Sequence, residues 1–494
     1  MERLPYAFAR AKEIILTEGA TACLMTRTTP LSALAEAQRV VGRNLKPRRV
    51  SADIFRRTLE EEYRDSASAA AGAAEEANGQ SATASLSTLA DSAAAVDDLL
   101  DQRADAPVVR LINAVLLEAI RARASDIHIE VEEEQLVVRF RVDGLLREAL
   151  TSNRALAPQL ISRVKVMGRL DIAEKRLPQD GRVSLRVAEF HLDARISTIP
   201  AQHGERVVMR LLDRSQTRAG IETLGMASAT RAAFTRLLSR PDGLLLVTGP
   251  TGSGKTTTLY AGLDALNDRK TNIMTIEDPI EYALPGIAQM QVNTATDLTF
   301  ARGLRAILRQ DPNVIMVGEI RDGETARIAV ESAMTGHLVM STLHTNTAIG
   351  SVARLIDLGV ERFLLAPMLR GVLAQRLVRR ICPDCAQPHK LTAAEAAMLQ
   401  GGLSAGDMSR VGAGCETCDG TGFRGRIALY DLVEVTPTLE QAIARGLPES
   451  DLADMAQAGC AGLLQDGVEK VRSGYTTPQE VARVVFDSTA EVMP

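Results

Sequence analysis

One short segment of the chain has the residue types and the spacing of a phosphate-binding loop. Residues 249–256 read GPTGSGKT and fit the pattern G-x-x-x-x-G-K-[ST]. Glycine permits the positive φ values that let successive backbone N–H groups point at phosphate oxygens. In such a loop Lys255 reaches the β- and γ-phosphates, and the hydroxyl of Thr256 binds Mg²⁺. The predicted nucleotide-binding residues are Gly249, Pro250, Thr251, Gly252, Ser253, Gly254, Lys255, Thr256 and Thr257.

Acidic residues follow two other apolar segments. Residues 313–317 form an apolar run that precedes Glu319, and residues 275–279 read TIEDP, where proline breaks the strand. Acids just past parallel strands lie at the carboxyl edge of the sheet, beside the phosphate loop. We therefore predict that Glu319 orients and activates the attacking water, and that Glu277 or Asp278 accepts hydrogen bonds from waters around Mg²⁺. The alternative for these acids is an ordinary helix cap or a solvated turn.

Two of the six histidines, His337 and His344, flank the apolar run 338–343. Both are predicted to approach the γ-phosphate, and His344 is the favoured one of the two. The alternative for each is a purely structural histidine.

Four of the six cysteines form two CxxC pairs, at 382–385 and 415–418, separated by 29 residues. Two such pairs can place four thiolates tetrahedrally around Zn²⁺ as a closed, structural site, although the gap exceeds the usual short spacing. The predicted ligands are Cys382, Cys385, Cys415 and Cys418. A redox pair is the alternative, but neither pair has the setting of a thioredoxin-like motif. Cys23 and Cys460 are expected to be buried, apolar residues.

The strands that must position these groups follow from the hydrophobic pattern. Apolar runs without alternation occur at 244–248, 272–276, 314–317 and 338–342, and helical stretches lie between them, including 257–267 after the phosphate loop. Such runs are typical of a largely parallel sheet that is covered on both faces. The sequence therefore predicts an α/β domain with the phosphate loop at one edge of its sheet.

A second pattern precedes this domain. Apolar residues recur at helical spacing over 108–120, and alternation with a period of two follows at 127–131 and 136–142. A further strand region extends over 183–209. These segments predict an α+β domain of about 120 residues.

The N-terminal part is predicted to be a small helical module, with helices at 33–41 and 52–63, followed by a flexible linker. Residues 66–96 are rich in alanine and serine and lack the large apolar side chains that offset ordering entropy. The predicted divisions are an N-terminal module (1–62), a linker (63–97), an α+β lobe (98–215), a P-loop core (216–380), a tetracysteine subdomain (381–425) and a C-terminal helical region (426–494).

Net charge and hydropathy narrow the class of protein. The 494 residues have a formal net charge of −5, whereas nucleic-acid motors more often have a basic excess. No apolar run approaches the roughly 20 residues that span a bilayer, and residues 1–16 mix charges into their apolar positions, unlike a signal peptide. We expect a cytoplasmic chain without direct membrane insertion, so that any membrane association would be made through partners.

Several motifs together resemble those of the type II secretion ATPases. They correspond to the Walker A, Asp box, Walker B and His box of that family, which are here GPTGSGKT (249–256), TIEDPIEY (275–282), VIMVGEIRD (314–322) and TGHLVMSTLHTN (335–346). Three further stretches match as well, namely RLPQDGR (176–182), HGERVVMRLL (203–212) and FARGLRAILRQDP (300–312). The resemblance covers about residues 100–490.

This resemblance implies a RecA-like ATPase domain, a preceding α+β (PAS-like) domain and a zinc-binding C-terminal insertion. ATP and Mg²⁺ are the implied substrate and cofactor, with ATP between the two lobes, and Zn²⁺ is structural. Glu319 is then the catalytic glutamate, Glu277 lies in the Asp box and His344 in the His box.

Arginines are the expected transition-state stabilisers, because negative charge develops on the transferred phosphoryl oxygens. Arg195 and Arg210 are the candidates from the α+β lobe, and Arg321 and Arg354 are the candidates from the ATPase lobe. The alternative for each is a structural salt bridge.

The resemblance also implies partners. The chain would assemble with further copies of itself as a homo-hexamer. Residues 1–62 would bind the cytoplasmic domain of a bitopic inner-membrane secretion protein, and the hexamer would act on a polytopic platform protein. No nucleic-acid partner is expected. A packed accessory domain is the alternative for residues 1–62. ATP hydrolysis would drive pseudopilus assembly and protein export across the outer membrane. A type IV pilus extension ATPase shares every catalytic motif and is the main alternative, followed by a nucleic-acid translocase and a non-catalytic scaffold.

Overall fold

The computed structural model describes residues 105–187, 190–213, 220–457 and 462–486, together with Leu86 and short stretches between residues 14 and 58. By internal packing the chain divides into two units. The first contains Met1–Glu118, Leu150–Arg163 and Val187–Glu189, and the second contains Ala119–Ala149, Val164–Arg186 and Phe190–Pro494. The predicted linker, apart from Leu86, and Cys460 lie outside the described residues.

The N-terminal residues contain a small sheet that the sequence did not predict. Strands β1 (Ile14–Leu16), β2 (Ala22–Met25) and β3 (Lys46–Arg49) pair in that order, antiparallel between β1 and β2 and parallel between β2 and β3. Cys23 is buried in this sheet, as predicted. The described residues within 33–41 and 52–63 are helical. The prediction of a helical module is therefore incomplete, because strands of three or four residues are too short to show a period of two.

The α+β region contains one sheet of six strands. Helix α1 (Asp105–Arg121) precedes β4 (Asp126–Val131), β5 (Gln135–Val142) and β6 (Leu145–Asn153). Helix α2 (Ala157–Gly168) then leads to β7 (Gln179–Val187), β8 (Phe190–Ala201) and β9 (Gly204–Asp213). The strand order is β6-β5-β4-β9-β8-β7, and β4 pairs antiparallel with both β5 and β9. The alternation in the sequence thus predicted β4 and β5 correctly.

A second sheet carries the phosphate loop, and its first six strands run parallel. They are β10 (Gly243–Thr248), β11 (Ile273–Glu277), β12 (Ala288–Gln291), β13 (Val314–Val317), β14 (Leu338–Leu343) and β15 (Leu369–Ile381). Every residue of β10, β13 and β14 is buried, which is why these strands read as mainly apolar runs without alternation. The predicted parallel sheet is confirmed.

Six helices accompany these strands. They are α3 (Ser228–Leu238), α4 (Lys255–Leu266), α5 (Phe300–Ile307), α6 (Gly323–Met334), α7 (Gly350–Asp357) and α8 (Arg362–Met368). Apolar side chains of α5 and α6, such as Leu304 and Ala329, join Val317 and Val339 of the strands in one hydrophobic cluster. These helices keep the strands rigid, so the loops at the carboxyl edge are held at fixed spacing.

The cysteine-bearing residues lie between two long strands of this sheet. Strand β15 is followed by β16 (Ala386–Lys390), α9 (Ala393–Ala397) and β17 (Met408–Gly412), and the chain returns as β18 (Phe423–Glu434), antiparallel to β15. The full strand order is β12-β11-β13-β14-β10-β15-β18. Helices α10 (Pro437–Arg445), α11 (Glu449–Gln457), α12 (Leu463–Arg472) and α13 (Pro478–Val485) follow.

The sequence predicts a helical region after the cysteines, at 426–494, but this region is only partly helical. Residues 426–434 continue β18 and belong to the main sheet. Strands β15 and β18 have no strict alternation of buried and exposed residues, so their strand character did not show in the sequence. Among the described helices, none combines the length and the hydrophobicity that crossing a bilayer requires.

Candidate functional site

The phosphate loop joins the end of β10 to the start of α4. Gly249, Gly252 and Gly254 have φ values of 149°, 80° and 89°, and Gly254 is the N-cap of the helix. A side chain would strain the backbone in this conformation, which explains why glycine occupies these positions. Thr256 and Thr257 are exposed in the first turn of α4. All nine predicted nucleotide-binding residues therefore lie in one loop and helix N-terminus.

Lys255 folds back over this loop. Its Nζ donates to the carbonyl oxygens of Gly249 at 2.6 Å and Pro250 at 3.1 Å. Burial lowers the pKa of Lys255 to about 8, Glu319 opposes that shift, and Arg376 adds to it. A buried ammonium bound only to neutral carbonyls is poised to exchange them for phosphate oxygens.

Glu319 follows β13 at the same edge of the sheet, as predicted. Its Oε1 accepts a hydrogen bond from Arg321 Nη2 at 2.6 Å, and its Oε2 lies 3.5 Å from His344 Nε2. Burial, and next the charge of Lys255, lower the pKa of His344, so this imidazole is neutral at pH 7. The structure thus brings Lys255, Glu319, Arg321 and His344 together.

His337 does not belong to this group, and the prediction that it approaches the γ-phosphate is wrong. It precedes β14, and its Nδ1 lies 2.8 Å from the carbonyl oxygen of Ser332. Strands β10 and β14 are parallel and pair Thr248 with Leu343. The start of β14 is therefore at the opposite edge of the sheet, roughly 20 Å from the phosphate loop for a six-residue strand.

Glu277 lies at the predicted sheet edge, but both of its carboxylate oxygens are engaged inside the protein. Thr275 Oγ1 donates to Oε1 at 2.5 Å, Gln289 Nε2 donates to Oε1 at 3.0 Å, and the hydroxyl of Tyr260 donates to Oε2. The side chain of Glu277 is buried. These contacts favour a role in holding the loop after β11 rather than direct contact with solvent near the metal.

The candidate arginines have different surroundings. Arg195 and Arg210 are paired residues of β8 and β9, and Arg210 Nε donates to Asp126 Oδ1 at 3.0 Å. Burial raises the pKa of Glu281, and Arg210 and Arg195 oppose this shift, so their charges face the loop that follows β11. Arg354 is exposed on α7 and, in the described part of the chain, forms no side-chain hydrogen bond or ion pair with the groups above.

Two polar residues of β15 touch the phosphate loop and were missed by the sequence analysis. Gln375 Nε2 donates to the carbonyl oxygen of Ser253 at 2.8 Å, and Gln375 Oε1 accepts from Thr258 Oγ1 at 2.7 Å. The next residue, Arg376, lies against the same loop and donates to Asn346. Two adjacent polar residues inside the apolar stretch 372–378 were the available signal.

The four predicted metal-ligand cysteines meet in space. Their Sγ atoms all lie within 4.8 Å of one another, with separations of 3.9 Å for Cys382–Cys415, 3.8 Å for Cys385–Cys418 and 3.7 Å for Cys415–Cys418. A tetrahedron with metal–sulfur bonds of about 2.3 Å has edges of about 3.8 Å. The separations exceed a disulfide bond, and the thiols are free. This donor set fits a tetrahedral, thiolate-binding metal ion.

Comparisons with known proteins agree over nearly the whole chain. The sequence profile described as "Type II/IV secretion system protein" matches residues 101–483, and a profile for an N-terminal domain of "GSPII protein E" matches residues 3–63. Type II secretion system protein E of Dickeya dadantii is 51% identical over 485 residues, which cover 97% of this chain and 96% of that protein. Type II secretion system ATPase E of Vibrio cholerae is 48% identical over 492 residues, covering 99% and 97%.

Among solved structures, the pilus retraction motor PilT with bound ADP is similar in fold. It superposes with a TM-score of 0.52 at 27% identity and covers 75% of this chain and 95% of that chain. The match therefore extends over most of the described structure.

Proposed function

The chain belongs to the type II/IV secretion system protein family and is a secretion ATPase, and we propose that it hydrolyses ATP to drive pseudopilus assembly and protein export by a type II secretion system. One observation carries the chemical part of this proposal. Lys255 in the phosphate loop and Glu319 after β13 are close enough for the charge of Glu319 to raise the pKa of Lys255. The ammonium and the carboxylate are thus within electrostatic range of each other, as binding of phosphate and activation of water would require.

Each group at the sheet edge has a chemical task. The loop N–H groups and Lys255 bind the β- and γ-phosphates. Thr256, which is exposed, would hold Mg²⁺ through its hydroxyl, and the ion would neutralise charge on the phosphate oxygens. Glu319 takes the proton of the attacking water. The neutral His344 can donate a hydrogen bond from Nε2 to Oε2 of Glu319, which would keep that carboxylate oriented.

Arginines complete the stabilisation of the transition state. Arg195 and Arg210 come from the α+β lobe, and Arg321 already lies beside Glu319. Guanidinium groups suit the three equatorial oxygens of a transferred phosphoryl group, because they remain charged and offer several donors. If Arg321 left Glu319 and bound the phosphate instead, the carboxylate of Glu319 would be free to accept a hydrogen bond from the attacking water. Arg354 does not contact these groups in the described part of its own chain, so it is a candidate only for reaching the phosphates bound by a neighbouring subunit.

The wider assembly is part of the same proposal. The chain would act as a homo-hexamer, attached peripherally at the cytoplasmic face of the inner membrane. Residues 1–62 would bind the cytoplasmic domain of a bitopic secretion protein, and the ring would act on a polytopic platform protein. The profile match to GSPII protein E at residues 3–63 supports secretion over pilus extension. The tetracysteine group would hold Zn²⁺ and fix the fold of residues 381–425.

The catalytic assignment is tested with the full-length Glu319→Ala variant. We expect ATP to bind and turnover to fall by on the order of a thousandfold or more, since the water-activating group is lost. Lys255→Ala should instead lose nucleotide binding. Both are measured by nucleotide titration and phosphate release, with Glu331→Ala, an exposed carboxylate on α6, as the control. Normal turnover by Glu319→Ala would refute its assignment.

A pull-down tests whether the chain belongs to a secretion system or to a pilus system. The cytoplasmic domains of the bitopic proteins of each system are the baits, and the full chain is the captured protein. We expect selective capture by the secretion protein. Capture by the pilus protein alone would reassign the chain to pilus extension, while the catalytic assignments would stand.

A further inference from the structure

Arg376 is a buried cation without an acidic partner. Its residue is 3% exposed, and its Nη2 donates to the backbone oxygen of Asn346 at 3.0 Å and to Asn346 Oδ1 at 3.1 Å. Its Nη1 donates to the backbone oxygen of Gln375 at 3.4 Å. All three acceptors are neutral. No carboxylate of the described residues lies within ion-pair distance of this guanidinium.

A buried arginine without an acidic partner is unusual in proteins in general, and it is also unusual among the arginines of β15. A guanidinium stays protonated in proteins, so its burial has a large desolvation cost unless an anion balances the charge. The other partly buried arginines at the two ends of β15 have such partners. Arg370 pairs with Asp242 at 2.5 Å, and Arg379 pairs with Glu480 at 2.8 Å. Arg376 alone among these three has none, which indicates that its anion is a ligand.

The surroundings of Arg376 identify the place of that anion. A methyl group placed on Gly249 would lie 3.2 Å from Arg376 Nη1 and 2.7 Å from Ser253 Oγ. The buried hydroxyl of Ser253 makes no hydrogen bond in the described part of the chain. Lys255, which is 8% exposed, donates to the carbonyl oxygen of Gly249 itself. Two buried cations and one unpaired hydroxyl therefore converge on the first residue of the phosphate loop.

We propose that Arg376 is a second buried cation of the phosphate site, whose charge is balanced by the polyphosphate of a bound nucleoside di- or triphosphate. Asn346 and Gln375 hold the guanidinium behind the loop, so it acts on the ligand through a short, water-excluded distance. Its effect is on phosphate affinity and not on the nucleoside. This inference rests on the proposed nucleotide binding, and it adds a residue that lies outside the motifs identified in the sequence.

The test compares Arg376→Gln with Arg376→Lys and with the control Arg380→Gln in the full-length protein. Arg380 lies four residues further along the same strand, is exposed and contacts the ring of Tyr475. Equilibrium binding of ATP, ADP and adenosine is measured by titration at low and high salt. A buried charge several ångströms from the phosphates contributes on the order of tenfold or more to affinity.

We expect Arg376→Gln to weaken ATP and ADP binding by about tenfold or more and to leave adenosine binding unchanged. Arg376→Lys, which retains the charge, should keep ATP binding within about threefold, and Arg380→Gln should match the parent. Equal loss of adenosine and ATP binding would show a structural role and overturn the inference. So would unchanged ATP and ADP binding in folded Arg376→Gln.

Two outcomes separate this inference from the proposed function. If the parent protein binds no nucleotide, the proposed function itself fails. If the parent binds ATP but Arg376→Gln does not fold, Arg376→Lys decides the question. Loss of ATP binding by a folded Arg376→Lys would then overturn the charge argument, and retained binding would support it.

Discussion

The alkaline limit of nucleotide binding is set by Lys255, and removal of Glu319 should move it to lower pH. The pKa of Lys255 is about 8 because the ammonium is buried, and the carboxylate of Glu319 partly opposes that shift. Only the protonated amine is a strong phosphate ligand. ATP affinity is therefore fully present well below pH 8 and is lost as the pH rises through the pKa of the empty site.

The size of the effect follows from this pKa. When binding requires the protonated form, the apparent affinity falls by the factor 1 + 10^(pH − pKa). For the parent protein this factor is about 2 at pH 8 and about 11 at pH 9, with the value of about 8 for Lys255. Glu319→Gln removes the group that raises the pKa, so the decline begins at lower pH than in the parent. Arg376→Gln removes a group that lowers it, so the decline begins at higher pH.

The assay is a titration with a fluorescent, non-hydrolysable ATP analogue at constant ionic strength between pH 7 and pH 9.5. Each variant is normalised to its own affinity at pH 7, because loss of a carboxylate beside the phosphates also changes the absolute affinity. Glu331→Gln, which removes an exposed carboxylate on α6, is the control and should follow the parent.

Three results would refute the reasoning. A flat affinity up to pH 9.5 in the parent would mean that Lys255 does not bind phosphate as a cation or that its pKa is not lowered. A Glu319→Gln profile that coincides with the parent profile would mean that Glu319 is not close enough to Lys255 to affect its pKa. Parallel shifts of the Glu319 and Arg376 variants would contradict the opposite signs of their charges.

Two further predictions concern groups outside the phosphate loop. Asp126→Asn should lower turnover by roughly tenfold to a hundredfold with little change in ATP affinity, because Arg210 loses its anchor. Glu130→Gln, which removes another buried acid of β4, should stay near the parent in steady-state kinetics; equal losses would contradict a specific role of Asp126. Cys382→Ser should reduce bound zinc and the melting temperature, as measured by elemental analysis and thermal unfolding; an unchanged metal content would contradict the proposed site.

The local sequence determined the parts of the site that lie next to strand ends. Lys255 and Glu319 could be placed because a glycine-rich loop and an acid each follow an unbroken apolar run, and parallel strands end at one edge. The same rule, applied to strand direction, would have excluded His337, which precedes its strand instead of following it. The presence of a motif residue therefore says less about whether it reaches the site than the end of the strand at which the residue lies.

Contacts between distant segments could not be predicted in the same way. Glu277 could be placed at the sheet edge, but its partners Tyr260 and Gln289 come from α4 and β12, and no local pattern joins them. The long strands β15 and β18 were missed because their burial depends on pairing with each other. Sequence periodicity reports which face of an element is apolar, whereas these contacts depend on which elements become neighbours.

Charge balance explains why the site needs a cation from β15. A carboxylate that activates water must lie beside a polyphosphate, and the two repel each other in a water-excluded site. Lys255 alone would have to attract both Glu319 and the phosphates. Arg376 adds a second buried positive charge behind the loop, fixed by neutral acceptors and therefore not neutralised by the protein. With both cations present, the site can accept a triphosphate beside the carboxylate of Glu319.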